Sequence, residues 1–389
     1  MKPRHLLLAP FLLPALRPAE ALAELGAQSY DTSYQSYKED SERMHITSFY
    51  LRGKIDVNAE TSFRFQYLRD AISGSSPGGA LYNQTELPFL TEVDDIRTAF
   101  VAALAHQFGD HRVELELSQS DESDYNSTGV SLSDAWELNQ KNTTVAFGVN
   151  YLSDLVEVRG YNPQDKAAFD FFTGVTQIID KNTVVSANLT LGTSNGYLND
   201  PYKGIQRTDV TVYDDGTVSD PYLNLYPENR PTYRFRQVLQ LQGTHFFAPA
   251  NGALDAVYRL SNDDYGVFSQ TVQLEWRQAI GEKFEVIPYF RYYRQTAADF
   301  FMSTLDGVKI NSPDISHPNG SGANYSADYR LSSLDTLSLG LKLRYQITDS
   351  FAANVSYERY SMSGNGSDTA PSQAYPEANM FGFCLGAKF

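Results

Sequence analysis

The sequence holds one cysteine, Cys384, in 389 residues. A disulfide framework is excluded, and no cysteine remains to serve as a lipid anchor after a processed leader. Long apolar runs are missing as well. The prominent one, Leu6 to Leu16, is eleven residues, short of the roughly 18–20 that a membrane-crossing helix requires. No transmembrane helix is therefore expected in the mature chain. Histidines number six. None of His5, His45, His106, His111, His245 and His317 sits at metal-ligand spacing with another, and His106 and His111 flank a turn. No metal or cofactor is expected. No Gly-x-Ser-x-Gly elbow is present. A hydroxyl nucleophile assembled across strands would leave no local sign, so a hydrolase stands as a minor alternative to a non-enzymatic role. Basic residues are outnumbered, 31 Lys and Arg against 47 Asp and Glu, for a net charge of −16. That balance excludes nucleic acid as a natural partner.

Aromatic residues are plentiful by contrast: 26 Tyr and 23 Phe beside two Trp. This mixture suits strands and interfacial girdles. Residues 1–23 read as a secretory signal. Lys2 and Arg4 precede the apolar run, and Ala21-Leu22-Ala23 offers a cleavage site, although Arg17 interrupts the approach to it. Residues 24–389 then form a single domain.

The clearest pattern lies between Val267 and Phe301. Val272, Leu274, Trp276 and Ile280 fall on one side of the first arm, with Ser269, Thr271, Gln273, Glu275 and Arg277 on the other. After Gly281-Glu282-Lys283, Phe284, Val286, Pro288, Phe290 and Tyr292 alternate with Glu285, Arg291, Gln295 and Asp299. Period-two alternation marks strands with one apolar face. Each arm is about twice the five or six residues usual in soluble sheets and long enough to span a bilayer.

Sixteen such segments can be laid along the chain: 27–38, 43–55, 61–72, 95–107, 111–121, 128–140, 142–154, 168–180, 182–197, 230–247, 251–263, 266–280, 283–301, 328–346, 350–362 and 378–389. Their connections alternate between short turns and longer loops such as Ser73 to Asp94, Leu198 to Asn229 and Met302 to Ala327. Sorting of this kind belongs to outer-membrane barrels, with short periplasmic turns and long extracellular loops. The expected fold is all-β, a transmembrane antiparallel up-and-down barrel of about sixteen strands. An even strand number sets both termini at the short-turn rim. The final segment places Phe381, Phe383, Leu385 and Phe389 on one face. It resembles the C-terminal signal read by the barrel-assembly machinery, an expected partner beside outer-membrane lipid.

The polar faces should line the lumen. They collect Arg64, Asp70, Glu114, Glu116, Glu137, Arg234, Arg236, Arg259, Glu275, Arg277, Glu285, Arg291, Lys342, Arg344 and Glu358. A charge facing lipid at mid-depth costs about 2–4 kcal/mol, so the sorting sets sidedness. These charges either line a wet pathway for small polar solutes or pair across the barrel and fill it. The loop Leu198 to Asn229 has the length to fold inward. The acidic stretch Asp209 to Asp220 lacks calcium-loop spacing and reads as a small hairpin turning at Asp214-Asp215-Gly216. At the loop-bearing rim, Tyr292, Tyr293 and Arg294, with Arg291 and Asp299 nearby, are candidates to bind an anion or a sugar. The alternative is an aromatic girdle with ion pairs to Asp299 and Asp70. A barrel serving as a surface scaffold or complex partner is the second functional expectation.

Several stretches occur in order: DAISGSSPGG at Asp70 to Gly79, SDESDYNSTG at Ser120 to Gly129, NGYLNDPYKG at Asn195 to Gly204 and ENRPTYRFR at Glu228 to Arg236. YRLSNDDYGVFSQT at Tyr258 to Thr271, RYYRQTAADFF at Arg291 to Phe301 and SADYRLSS at Ser326 to Ser333 follow. Together they resemble the bacterial domain-of-unknown-function family 3570. Ser75-Ser76 departs from the Ala-Ser or Ala-Thr expected there. The resemblance implies an outer-membrane location and defines no catalytic or binding residues.

Overall fold

The computed structural model describes residues 26–81, 88–157, 162–308, 310 and 318–389. The expected signal segment, His5 and His317 lie outside them. Among the described residues no helix is long and apolar enough to cross a membrane.

Sixteen strands close into one antiparallel barrel. They are β1 (Gln28–Glu39), β2 (Met44–Asp56), β3 (Thr61–Leu81), β4 (Pro88–Phe108), β5 (His111–Asp121), β6 (Tyr125–Leu138), β7 (Thr143–Val156), β8 (Gln164–Asp180), β9 (Thr183–Gly196), β12 (Tyr233–Phe247), β13 (Gly252–Asp263), β14 (Phe268–Ile280), β15 (Phe284–Gln295), β16 (Leu334–Gln346), β17 (Phe351–Gly364) and β18 (Glu377–Lys388). Two short strands, β10 (Gly204–Asp209) and β11 (Tyr222–Pro227), form a separate hairpin sheet between β9 and β12. β1 pairs with β18 from Ser29↔Lys388 to Glu39↔Ala378, and Gln28 N donates to Phe389 O at 2.9 Å. This seam removes the two open edges that would otherwise template aggregation.

The pleat sorts the two faces as the alternation requires. Leu104 and Leu339 are each 53% exposed and Phe381 is 51% exposed, all on the outward side. They match the outward rows Phe63-Phe65-Tyr67, Val145-Phe147-Val149-Tyr151 and Leu337-Leu339-Leu341-Leu343 across successive registers. An apolar outer face beside a polar inner one is the inverse of a soluble protein's packing and suits lipid.

Four boundaries move by more than four residues, among them the start of β4, at Pro88 rather than Asp95, where it pairs with the extended β3. DAISGSSPGG is not a loop exit. β3 runs on through it, paired with β4 as far as Pro77↔Leu90, with the register shifting between Pro77 and Leu81. Gly79 permits this: its φ is +92°, and a Cβ there would meet Gly204 O at 2.6 Å and Ala327 O at 3.0 Å. β15 stops at Gln295 rather than Phe301, because Ala298 N turns to Leu331 O and Asp299 N to Tyr265 O, both at 2.8 Å. β16 starts at Leu334, since Tyr329–Leu331 forms a 3-10 turn capped by Asp328, whose side chain accepts from Arg330 N. The hairpin expected in Asp209 to Asp220 is present: Tyr213 N donates to Thr217 O at 2.9 Å, and β10 and β11 flank it.

Candidate functional site

The registers put all fifteen charged residues assigned to the lumen on the face opposite the leucine and phenylalanine rows. Near the short-turn rim they pair. Arg64 meets Glu114 and Glu116 at 2.7 Å each, Arg344 meets Glu285 at 3.2 Å, Arg277 meets Glu275 at 2.6 Å, and Lys141 meets Glu137 at 2.7 Å. Asp70, higher on the wall, lies 3.9 Å from Arg97.

The long loops pack into a cap at the opposite mouth. Ile205, Leu305, Tyr325 and Ala327 form one buried apolar cluster; Tyr265, Val267, Ala298, Phe300 and Leu331 form a second. Beside them sits a chain of charges built around two buried carboxylates. Arg230 bridges Glu228 at 2.7 Å and Asp328 at 2.8 Å, and Arg330 joins Asp328 to Asp200. Glu228 and Asp328 are each 1% exposed. Burial pushes the Glu228 carboxyl up by more than Arg230 lowers it. Burial also pushes Asp328 up, but Arg330, Arg230 and Lys203 outweigh it and hold the carboxyl below its usual range. Lys203 reaches across to Ser76 Oγ at 2.9 Å and lies 5.5 Å from the centre of the Tyr329 ring. Burial drives its ammonium down despite Asp328, Asp200 and Glu228. The cap rests on the inner wall, where Gln295 Nε2 donates to Arg330 O at 2.9 Å and Ser332 O at 2.7 Å. The loop Leu198 to Asn229 thus contributes its two ends, around Asp200–Lys203 and Glu228, to the closure.

Two cavities lie under this cap. The first, about 720 Å³, is walled by Arg234, Arg236, Arg259 and Arg291 with Arg330 from the cap, and Asp263 is its one carboxylate. The second, about 660 Å³, is walled by Tyr37, Tyr289, Tyr293, Tyr329 and Tyr360, with Glu358 as its carboxylate. They share Arg291, Tyr293, Gln295 and Arg330.

The rim candidates for binding a ligand do not come together. Arg291 and Tyr293 face inward, opposite Ser338 and Thr336, whereas Tyr292 and Arg294 face outward, opposite Leu337 and Asp335. Arg294 lies 3.5 Å from Asp335 and donates to Asn365 at 2.6 Å, so its ion pair is with neither Asp299 nor Asp70. Asp299 sits off the strand, its carboxylate filling the space at Gly266, whose φ is +84°. Alternation alone separates the two pairs; a cluster of adjacent letters obscured it. The cap was not readable, because its contacts join residues about a hundred positions apart, as in Arg230–Asp328.

Three histidines meet hydroxyls: Thr61–His106 at 2.8 Å, Thr183–His245 at 2.9 Å and Ser36–His45 at 3.2 Å. His106 and His245 lie at the short-turn rim edge-on to Phe108 and Phe247. At the other rim Asp95, Glu122 and Asp124 bring carboxylate oxygens within 4.8 Å of one another, a grouping absent from the sequence reading. Asp95 already accepts from Ser123 and Asp124 from Tyr202.

This is the fold of an outer-membrane β-barrel. The chain belongs to the family of proteins of unknown function DUF3570, whose model matches residues 4–86, 81–168 and 157–379. Comparison with curated proteins finds no match. Among solved structures, CdiB from Acinetobacter baumannii is similar at a TM-score of 0.53 and 9% identity, over 93% of this chain and 60% of that one. The chain thus spans less than two thirds of the CdiB chain. A bacterial polysaccharide outer membrane secretin scores 0.48 at 8% identity, over 93% of this chain and 98% of that one. A loop-deleted OmpT of Vibrio cholerae scores 0.45 at 7% identity, over 94% of this chain and 100% of that one. At such identities the likeness concerns the barrel alone.

Proposed function

We propose that the chain is a porin-like pathway for small polar solutes across the bacterial outer membrane. The observation that supports this best is the charged inner face of the barrel, with two polar-lined cavities beneath the cap. Sixteen strands enclose a lumen wide enough for water. The cap narrows that route at one mouth, so the pathway is selective rather than wide. Incorporation into planar bilayers is expected to give discrete conductance steps. Membranes that stay sealed at high protein load would refute a pathway.

A second reading, a surface scaffold, draws on the tip of the β10–β11 hairpin, where Val212, Tyr213 and Val218 stand exposed. Recovery with a stoichiometric partner from gently solubilised envelopes would favour it; recovery as a lone barrel would count against it. We take the chain to work without catalysis. The hydroxyl–imidazole pairs keep the hydrolase alternative testable, but their aromatic neighbours and rim position fit interfacial anchoring. Ester hydrolysis by the purified barrel that disappears with His245→Ala would reverse that view.

A further inference from the structure

One cavity gathers five arginines, three of them without a carboxylate partner among the described residues. Near the short-turn rim Arg64, Arg277 and Arg344 each meet a carboxylate. Under the cap, Arg234 is taken by Asp263 and Arg330 by Asp328 and Asp200. Arg236, Arg259 and Arg291 have no carboxylate within 4.0 Å among the described residues. Arg259 is held by a neutral acceptor instead, donating to Gln240 Oε1 at 3.1 and 2.7 Å. Arg236 has Asp170 as a neighbour across Gly192 without closing a pair, and Asp170 accepts from Asn150 at 3.3 Å. Arg291 also meets the Tyr289 hydroxyl, and Asp170 and Glu358 stand near this wall without pairing with its three guanidinium groups, so an anion between them completes the set. Guanidinium forks match the two oxygens of a carboxylate or phosphate. The adjoining tyrosine-walled cavity supplies flat faces next to this charge, and Arg291 and Tyr293 border both spaces.

We propose that the space beneath the cap binds a small organic anion with a ring-shaped body, its acidic group on Arg236, Arg259 and Arg291 and its ring against Tyr293 and Tyr329. The binding site deepens the pathway reading, which supplies only the route by which the solute arrives. The chain as a whole is acidic, at −16, so its general field favours cations. Anion preference can come only from a local wall such as this one.

The test uses the full barrel in planar bilayers under a potassium chloride gradient, with benzoate, acetate and benzyl alcohol as probes. Chloride is expected to permeate over potassium. Benzoate should block at concentrations about tenfold below acetate, the size of one stacking contact, and benzyl alcohol should not block. The combined R236Q, R259Q and R291Q variant should lose both chloride preference and block. R291Q alone should weaken the block if the combined variant fails to fold. Potassium preference in the wild type, or equal block by benzoate and acetate, overturns the proposal. If no current flows at all, the pathway reading fails separately. Calorimetric titration of the detergent-solubilised barrel with benzoate then decides this one: binding lost in R291Q supports it, and no binding overturns it.

Discussion

Replacing Asp328 with alanine is expected to open the cap while leaving the barrel closed. Asp328 is 1% exposed and accepts from both Arg230 and Arg330. Removing one partner of a buried pair costs about 3–5 kcal/mol, chiefly through the charge left behind. The loss should fall at the low end of that range, because Glu228 still meets Arg230 and Asp200 still meets Arg330. The expected result is faster tryptic cleavage at Arg330 and a larger conductance, with heat-modifiable gel migration unchanged. Cleavage and conductance equal to wild type would show that these charges do not hold the cap.

Acid should mimic this substitution only when strong. Asp328 has its carboxyl held below the ordinary range. Its contribution is complete above the unfolded value and is lost as pH falls through the lowered folded one. Glu228 runs the other way. Its folded value is raised, so the neutral form is favoured, and acidification through that value relieves its burial cost. Mild acid should therefore leave the cap packed, and single-channel conductance should rise only well below pH ~4, the ordinary carboxylate range.

Leu274→Arg and Gln273→Arg should have opposite fates although the residues are adjacent. Leu274 sits midway along β14 on the outward face, opposite Phe290 and Ala256. Arginine there meets hydrocarbon, at a cost of about 2–4 kcal/mol at mid-depth. Gln273 faces inward, where Tyr289 donates to it at 3.4 Å. Arginine at that wet position stands opposite Arg291, so it should cost about 0.2–1 kcal/mol, well short of the cost on the lipid side. Urea unfolding from lipid vesicles measures both. Equal destabilisation of the two would mean that β14 has no lipid side.

The barrel was legible because one physical rule repeats along the chain. A strand between lipid and water must alternate, and Leu337 to Tyr345 does so without a break. What escaped were places where local rules mislead. The glycines and serines of Asp70 to Gly79 read as loop, yet Gly79 serves a close backbone approach within a strand that outgrows the barrel wall. Arg291 to Arg294 read as one cluster, though the pleat divides it between two faces. The cap escaped for another reason. Its stability lies in pairings between distant loops, such as Ser326 with Glu228, and no periodicity announces them. The arginine wall draws on three strands and the cap, β12, β13 and β15 with Arg330, so its members are visible singly in the sequence but not as a group.

Everything rests on a cylinder with hydrocarbon outside and water within. A nitroxide carried one residue at a time from Ser269 to Arg277 in lipid vesicles, with Cys384 replaced by alanine, measures that directly. Collisions with dissolved oxygen should peak at Val272, Leu274 and Trp276, and collisions with a water-soluble nickel chelate at Thr271, Gln273 and Glu275. A flat profile, or one with the phases exchanged, would contradict the account.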